Sequence, residues 1–231
     1  MIRALLFDCD GTLVDNEPLH YRALAGALLA EGIRLGPAEY QALTGLPDPV
    51  AVRTALEKGG RPAGEAKVGA LVAAKRAAYR ESLAAGVMPV PGAADFVRRA
   101  SGTYAIALAS GAWREEAETV LGGLGVRDCF RVLVTQEDCA KGKPDPQPFL
   151  LALRALNAAS PAPAPPLEPR ECLVFEDSPH GVAAARAAGM RCVALTTSHS
   201  GDGLRDADLV APHYRALDLR RVTAFFDRRA R

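Results

Sequence analysis

The chain has 231 residues, and its 28 Lys and Arg against 27 Asp and Glu leave a formal net charge of only +1. Such a balance does not favour electrostatic attraction to nucleic acid or to an acidic membrane surface, so we expect neither as a partner. The length allows one large domain, or a core domain with a smaller one inserted. No run of 18 apolar residues occurs and strand-like residues begin within three positions of Met1, so the sequence predicts neither a transmembrane helix nor a signal peptide.

The five cysteines are scattered, odd in number and contain no CxxC pair. This usage is typical of small buried side chains in a reducing compartment, and it does not indicate a disulfide framework or a zinc site. We therefore expect a cytoplasmic protein, with a monomer as the default oligomeric state.

Short apolar runs alternate with helical stretches along the chain. Most of the runs lack polar alternation, as expected of parallel strands that are covered on both faces. The β-then-α order predicts an α/β fold with a doubly wound parallel sheet, similar to the Rossmann arrangement. The predicted strands are Arg3–Phe7, Tyr104–Ala109, Arg131–Thr135, Cys172–Phe175, Cys192–Leu195 and Leu209–Val210, and the predicted helices are 92–100, 113–122, 146–157, 179–188 and 215–229.

One long stretch interrupts this alternation. From Pro18 to Ala85 the chain is rich in Ala and Leu, is broken by Gly and Pro, and contains no convincing strand. We predict a helical cap domain at residues 17–86, inserted into a core of residues 1–16 and 87–231; the alternative is that these helices cover one face of the sheet. The Pro-rich segment 158–169 predicts a stiff surface loop, to which we assign no function.

Polar side chains follow four of the predicted strands, at the point where each strand ends. In an open parallel sheet the carboxyl ends of the strands meet at one edge, where ligands bind, so these side chains can converge. In strand order they are Asp8 and Asp10, then Ser110 and Gly111, then Lys143, then Glu176 and Asp177.

These residue types are the ones that magnesium-assisted phosphoryl transfer requires. A carboxylate can attack phosphorus only if the repulsion between the two anions is screened, which a bridging Mg²⁺ achieves. Asp8 and Asp177 fit as side-chain ligands, with the main-chain carbonyl of Asp10 as a third. Asp8 would form an aspartyl-phosphate. The Asp10 side chain would act first as general acid and then as general base.

The remaining side chains have supporting roles in this interpretation. Ser110 can donate to a phosphoryl oxygen together with the backbone N–H of Gly111 at a helix start. Lys143 supplies positive charge, and Glu176 holds either a metal-bound water or Lys143. Each signal alone has an ordinary alternative as a helix cap or a solvated turn, but their joint occurrence at strand ends favours the chemical interpretation. The predicted metal site comprises Asp8, Asp10, Glu176 and Asp177.

The same segments resemble the four motifs of the haloacid dehalogenase-like (HAD) phosphohydrolases, and the resemblance spans nearly the whole chain. The last two segments look most like the subfamily of β-phosphoglucomutase, phosphoglycolate phosphatase and sugar-phosphate phosphatases, whose helical cap is inserted after the first strand. The resemblance implies a Mg²⁺ cofactor, a small phosphorylated metabolite as substrate, Asp8 as nucleophile and Asp10 as general acid and base. The segments are FDCDGTLVDNE (7–17), ALASGA (107–112), KGKPDPQPF (141–149) and VFEDSPHGVAAARAAGM (174–190).

The resemblance also extends into the predicted cap. His20 matches a histidine at the start of the cap linker, where it could contact Asp10 or substrate as the cap closes; a position on the helix surface is the alternative. Thr44 and Gly45 resemble the cap loop that reaches into the active site. Trp113 either lines the substrate pocket or anchors the start of a helix.

One position departs from the mutase pattern. The mutases carry an arginine three residues after the cap glycine, where it clamps the second phosphate of a sugar bisphosphate. This chain has Asp48 there, and a carboxylate would repel a phosphate. Arg53 or Arg76 could substitute, but nothing in the sequence requires it. We therefore favour a phosphatase over a mutase, and we expect specificity to lie on residues 44–53 and 72–80.

Other classes of protein fit the sequence less well. A phospho-receiver signalling domain also uses strand-end aspartates, Mg²⁺ and a lysine, but it is usually about half this length and its acidic pair is adjacent. An inactive binding scaffold is expected to lose a reacting residue, and none is missing here. Neither GxGxxG nor GxxxxGK[ST] occurs, which disfavours a nucleotide-binding enzyme.

Overall fold

The computed structural model describes residues 1–44 and 46–229. The chain divides into two compact units, one of Met1–Asp15 with Val87–Arg231 and one of Asn16–Gly86. All six strands lie in the first unit, whereas the described residues of the second form only helices and turns. The predicted fold class, an α/β core with an inserted helical domain, is confirmed. None of the described helices combines the length and hydropathy that a membrane span requires.

The sheet is six-stranded and entirely parallel, with the order β3-β2-β1-β4-β5-β6. The chain extends the sheet in one direction from β1 to β3 and in the other from β4 to β6. The strand order therefore reverses between β1 and β4, which is where ligands bind in open α/β sheets. The strands are β1 (Ala4–Phe7), β2 (Ala105–Ala109), β3 (Val132–Val134), β4 (Cys172–Glu176), β5 (Arg191–Leu195) and β6 (Leu209–Ala211).

The inserted unit has its own apolar core. Leu28, Val52 and Leu56 are fully buried in it, and α1 packs along α4. Apolar residues at helical spacing on α1, α3 and α4 account for this packing, because they place one face of each helix inward. Its helices are α1 (Glu17–Leu29), α2 (Pro37–Gln41), α3 (Asp48–Lys58) and α4 (Glu65–Ala84).

The sheet is covered on both faces. Side chains alternate along each strand, so Leu6 of β1 points to one face and Phe7 to the other. The first face packs against α7 and α8. On the second, Phe7 stacks on Phe175 at 4.8 Å between ring centroids, and both rings contact Tyr214. The helices of this unit are α5 (Ala93–Ser101), α6 (Arg114–Gly123), α7 (Gln147–Ala158), α8 (Pro179–Ala187) and α9 (Leu219–Arg229).

The predicted strands are all present with ends that differ by at most one residue, and four of the five predicted helices agree as closely. The exception is the last helix, which was predicted to begin at residue 215 but begins at Leu219. Residues Tyr214–Ala216 form a separate 3-10 turn, and Leu217 is extended. Asp218 then accepts the N–H of Arg221 at 2.9 Å, so the helix begins behind an acidic cap.

Gly189 ends α8 in the left-handed conformation. Its φ is 73°, and the N–H of Met190 reaches back to the carbonyl of Ala185 at 3.0 Å. The N–H of Gly189 donates to the carbonyl of Arg186 at 2.9 Å. These bonds satisfy the last carbonyls of the helix in a Schellman-type ending and turn the chain into β5.

Gly189→Ala is expected to lower the free energy of unfolding by about 1–2 kcal/mol, because a Cβ is disfavoured at this φ. The matched control is Gly122→Ala in α6, where no atom lies within 4 Å of the new Cβ; there the substitution should be neutral or stabilising by up to about 1 kcal/mol. Urea unfolding of both variants measures the difference. Equal free energies of unfolding for the two variants would contradict the left-handed conformation of Gly189 at the end of α8.

Candidate active site

Two strand ends meet at the reversal of the sheet. β1 ends at Phe7 and is followed by Asp8, while β4 ends at Glu176 and is followed by Asp177. The two strands pair in parallel, and the N–H of Asp8 continues the ladder by donating to the carbonyl of Phe175 at 3.0 Å. Residues 165 or more positions apart in sequence are thereby placed side by side at the carboxyl edge of the sheet.

The side chains at this edge form an acidic cluster around one lysine. Carboxylate oxygens of Asp8, Glu176 and Asp177 lie within 4.8 Å of one another, and all three residues are buried. The Nζ of Lys143 lies 2.5 Å from Asp8 Oδ1 and 2.6 Å from Glu176 Oε1. Three carboxyl groups therefore share one ammonium group, and when all three are ionised their negative charge exceeds the positive charge of Lys143.

Burial dominates the electrostatics of the cluster. It raises the pKa of Asp8 to about 7, because the attraction of Lys143 does not offset lost hydration and repulsion from Glu176. Burial and the charges of Glu176 and Asp8 raise the pKa of Asp177 well above its usual value. Burial also opposes the charged forms of Lys143 and Glu176. The charges of Asp8 and Glu176 outweigh it for Lys143, whose pKa is raised. The charge of Lys143 and the backbone N–H groups bound to Glu176 outweigh it for Glu176, whose pKa is lowered.

The Glu176 carboxylate is held mainly by the two residues that follow it in the sequence. Its Oε2 accepts the N–H of Asp177 at 2.8 Å, and both the N–H and the hydroxyl of Ser178 at 2.9 Å. The opposite side of the carboxylate lies against Gly181, where a Cβ would stand 1.8 Å from Glu176 Oε1. With its other oxygen on Lys143, Glu176 serves to orient that lysine.

Asp177 is held by residues that the sequence interpretation did not single out. Thr12 donates its hydroxyl to Asp177 Oδ1 at 3.2 Å, and His199 Nδ1 lies 3.1 Å from the main-chain carbonyl of Asp177. Gly11 has a φ of 77°, and a Cβ there would stand 2.0 Å from Asp177 Oδ2 and 2.5 Å from Ser198 Oγ. The signal for Ser198 and His199 was available, because they follow the predicted fifth strand at the same edge of the sheet.

Asp10 occupies a different position from the other predicted metal ligands. It lies in the turn after β1, where Gly11 donates to the carbonyl of Val14 at 2.7 Å. Its half-buried carboxylate contributes to the raised pKa of Asp8. The acidic cluster found among the described residues is formed by the side chains of Asp8, Glu176 and Asp177 and not by that of Asp10.

A closed loop carries Lys143 to the cluster. Asp145 Oδ1 accepts the N–H of Gln147 at 2.9 Å and caps the start of α7. The Gln147 side chain accepts the N–H of Lys141 at 2.7 Å and so ties the two ends of the loop together. The ammonium also lies 5.0 Å from the centroid of the Phe149 ring, a favourable cation–π distance.

Ser110 is buried directly after β2, where its Oγ accepts the N–H of Ala112 at 3.1 Å. Gly111 is exposed and lies in the loop before α6, because the helix itself begins at Arg114 and not at Gly111. The N–H of Trp113 donates to the Glu116 side chain at 3.1 Å, so the backbone of Trp113 takes part in the start of α6.

The predicted cap residues lie in the inserted unit. His20 is half-buried on α1, and its ring stacks on Tyr79 with 3.8 Å between centroids and an angle of 17°. Thr44 follows α2, and its hydroxyl lies 3.4 Å from the carbonyl of Tyr40. Gly45 lies outside the described residues.

Asp48 and Arg53 are both engaged within the inserted unit. Asp48 begins α3, and its Oδ1 lies 2.7 Å from the Nζ of Lys75, a buried lysine of α4. Arg53 donates to the carbonyl of Ala63 at 2.7 Å and to Glu65 at 2.6 Å. Asp48, the residue that departs from the mutase pattern, is therefore paired with a lysine of its own unit.

Buried carboxylates, a lysine and a serine at the reversal point of a parallel sheet define a class of enzyme that acts on phosphoryl groups. Comparison with known proteins agrees. Residues 2–189 match the family model of haloacid dehalogenase-like hydrolases. The chain belongs to this family, and it is a phosphatase of the phosphoric monoester hydrolase type.

Characterised relatives include two phosphatases. The chain is 31% identical to validoxylamine A 7'-phosphate phosphatase of Streptomyces hygroscopicus subsp. limoneus, over 91% of this chain and 93% of that protein. It is 32% identical to the fructose-1-phosphate phosphatase YqaB of Escherichia coli (strain K12), over 82% and 94%. A crystal structure of β-phosphoglucomutase from Clostridium difficile shares the fold, with a TM-score of 0.85 at 24% identity and coverage of 100% and 99%.

Gly181→Ala is expected to reduce phosphatase turnover by roughly 10- to 100-fold, the usual cost of disturbing an outer-shell partner. The new Cβ cannot share space with the Glu176 carboxylate, so Glu176 must move away from Lys143. Steady-state phosphate release measures the effect, and Gly122→Ala is the control because its Cβ meets open space. Equal turnover of the two variants would show that the position of Glu176 does not matter.

Proposed function

We propose that this protein is a Mg²⁺-dependent phosphatase of small sugar phosphates, which acts through an aspartyl-phosphate formed on Asp8. The observation that carries the proposal is the buried cluster at the reversal of the sheet, in which Asp8 lies 2.5 Å from Lys143. The names of two relatives support the substrate class, since one is a validoxylamine A 7'-phosphate phosphatase and the other a fructose-1-phosphate phosphatase.

The donor set fits Mg²⁺. Oxygen atoms of carboxylates are its preferred protein ligands, and one or two usually suffice because the ion keeps several waters. Glu176 already accepts four hydrogen bonds from the protein, which leaves Asp8 and Asp177 as the side chains that would hold the ion, with the main-chain carbonyl of Asp10. The bound ion would offset the excess negative charge and screen an incoming phosphate from Asp8.

The chain's own residues then perform two displacements. An Asp8 oxygen attacks phosphorus, the ester P–O bond breaks, and the leaving oxygen takes a proton from Asp10. Asp10, now ionised, removes a proton from water, whose oxygen displaces Asp8 from phosphorus and releases inorganic phosphate. Lys143 and Ser110 stabilise the charge on the phosphoryl oxygens in both displacements.

We propose hydrolysis of a phosphate ester, and not a mutase reaction on a sugar bisphosphate, because of the contacts that Asp48 and Arg53 make in the inserted unit. A partly buried salt bridge to Lys75 occupies the Asp48 carboxylate, where the mutases carry an arginine. Within the same unit, Arg53 is bound to Ala63 and Glu65. His20, Thr44 and Gly45 remain the proposed substrate contacts of this unit.

Phosphate release across a panel of phosphorylated metabolites should depend on Mg²⁺, be abolished by EDTA, and favour small sugar phosphates. The panel includes fructose 1-phosphate, phosphoglycolate, and β-glucose 1-phosphate with a bisphosphate activator. Conversion of glucose 1-phosphate to glucose 6-phosphate without free phosphate would instead establish a mutase.

Asp8→Asn is expected to lower kcat by about 10⁴-fold or more while the protein stays folded, because the amide cannot act as the nucleophile. Asp128→Asn, at an exposed position, is the matched control and should retain full activity. Stopped incubations analysed by mass spectrometry should detect a phosphorylated residue 8 only when Asp is present. Full activity of Asp8→Asn would refute the covalent mechanism.

A further inference from the structure

The loop after β5 is firmly held beside the acidic cluster. At one end, the N–H of Thr196 donates to the carbonyl of Ala211 at 2.9 Å and so continues the pairing of β5 with β6. At the other end, Leu204 is fully buried in the core that α7 and α8 form on the sheet. Ser198 and His199 lie between these two anchors, so the positions of their side chains are defined by the fold.

This loop contacts both the main chain and the side chain of Asp177. His199 Nδ1 lies 3.1 Å from the Asp177 carbonyl, and because a carbonyl only accepts, the imidazole must carry its proton on Nδ1 to bind there. Ser198 Oγ and Asp177 Oδ2 both lie close to Gly11. A Cβ built on Gly11 would stand 2.5 Å from Ser198 Oγ and 2.0 Å from Asp177 Oδ2. The serine oxygen is therefore a close neighbour of the carboxylate oxygen.

The Ser198 hydroxyl is also a buried group in need of an acceptor. Its oxygen is shielded from solvent and has no well-formed hydrogen bond with any residue that the structure describes. A buried hydroxyl left without a partner destabilises the folded protein. Rotation of the hydroxyl toward Asp177 Oδ2 supplies the acceptor, and it matches the bond that Thr12 makes to Oδ1 on the other side.

We propose that Ser198 is a positioning residue for the metal site, whose hydroxyl holds Asp177 Oδ2 while Thr12 holds Oδ1. One hydroxyl on each oxygen fixes the plane of the carboxylate and still leaves it lone pairs for a cation. Outer-shell partners of this kind set the orientation and affinity of metal-binding carboxylates. This inference rests on the proposed function, because it assumes that Asp177 binds Mg²⁺.

The test is the affinity of the purified full-length protein for Mg²⁺, measured by isothermal titration calorimetry without substrate. Ser198→Ala should raise the Kd about 10-fold, the lower end of outer-shell effects, and Ser198→Thr should recover most of the affinity because it keeps the hydroxyl. Ser200→Ala, an exposed serine of the same loop, is the matched control and should bind as wild type.

A purely structural role would lower the melting temperature of the metal-free Ser198→Ala protein and leave its Kd unchanged. Equal Kd values for Ser198→Ala and Ser200→Ala would overturn the inference and leave the proposed function standing. Absence of Mg²⁺ binding by the wild type would overturn both. If Ser198→Ala does not fold, Ser198→Cys is measured instead, because a thiol has a similar shape but is a weak donor; an unchanged Kd there also overturns the inference.

Discussion

Repulsion among three buried carboxylates is the interaction on which the site depends. Asp8, Glu176 and Asp177 have lost most of their hydration, and Lys143 offsets only part of their charge. A fold that needed only stability would not place them together, because buried like charges are costly. The surrounding chain opposes the cost locally: backbone N–H groups and a serine hydroxyl bind Glu176, and a threonine hydroxyl binds Asp177. The carboxylate charge that these contacts do not compensate favours the binding of a cation at this site.

Two glycines make this crowding possible. Gly11 and Gly181 each lie against a carboxylate at a distance that leaves no room for a Cβ. Gly11 also adopts a backbone conformation that other residues rarely enter, whereas Gly181 is an ordinary helical residue. The requirement at Gly181 therefore concerns space alone, and it links the first turn of α8 to the orientation of Lys143. The arrangement of the cluster thus depends on these two glycines, which have no Cβ, as much as on the charged residues.

Much of the fold was predictable because strands and helices here are short and strongly patterned. Unalternating apolar runs such as Ala4–Phe7 indicated buried parallel strands, and the strand-end rule placed Asp8, Lys143, Glu176 and Asp177 at one edge. The predicted start of the last helix was wrong, because helical periodicity does not reveal local features such as the acidic cap at Asp218 and the extended residue before it. Ser198 and His199 were missed for another reason: they follow the predicted fifth strand at the same edge, but they belong to no recognised motif, and their contact with Asp177 arises only when β5 lies beside β4.

The position of β1 between β2 and β4 has a consequence for how the molecule is made. Asp8 is synthesised well before its partner Lys143, which is 135 positions later, and the Asp177 carboxylate arrives later still. Contacts of such long range form slowly because the closure of large loops must precede them. A nascent chain that has released only β1 to β3 lacks β4, the other neighbour of β1, and two of the three carboxylates of the acidic cluster. The three carboxylates are therefore brought together only when β4 pairs with β1.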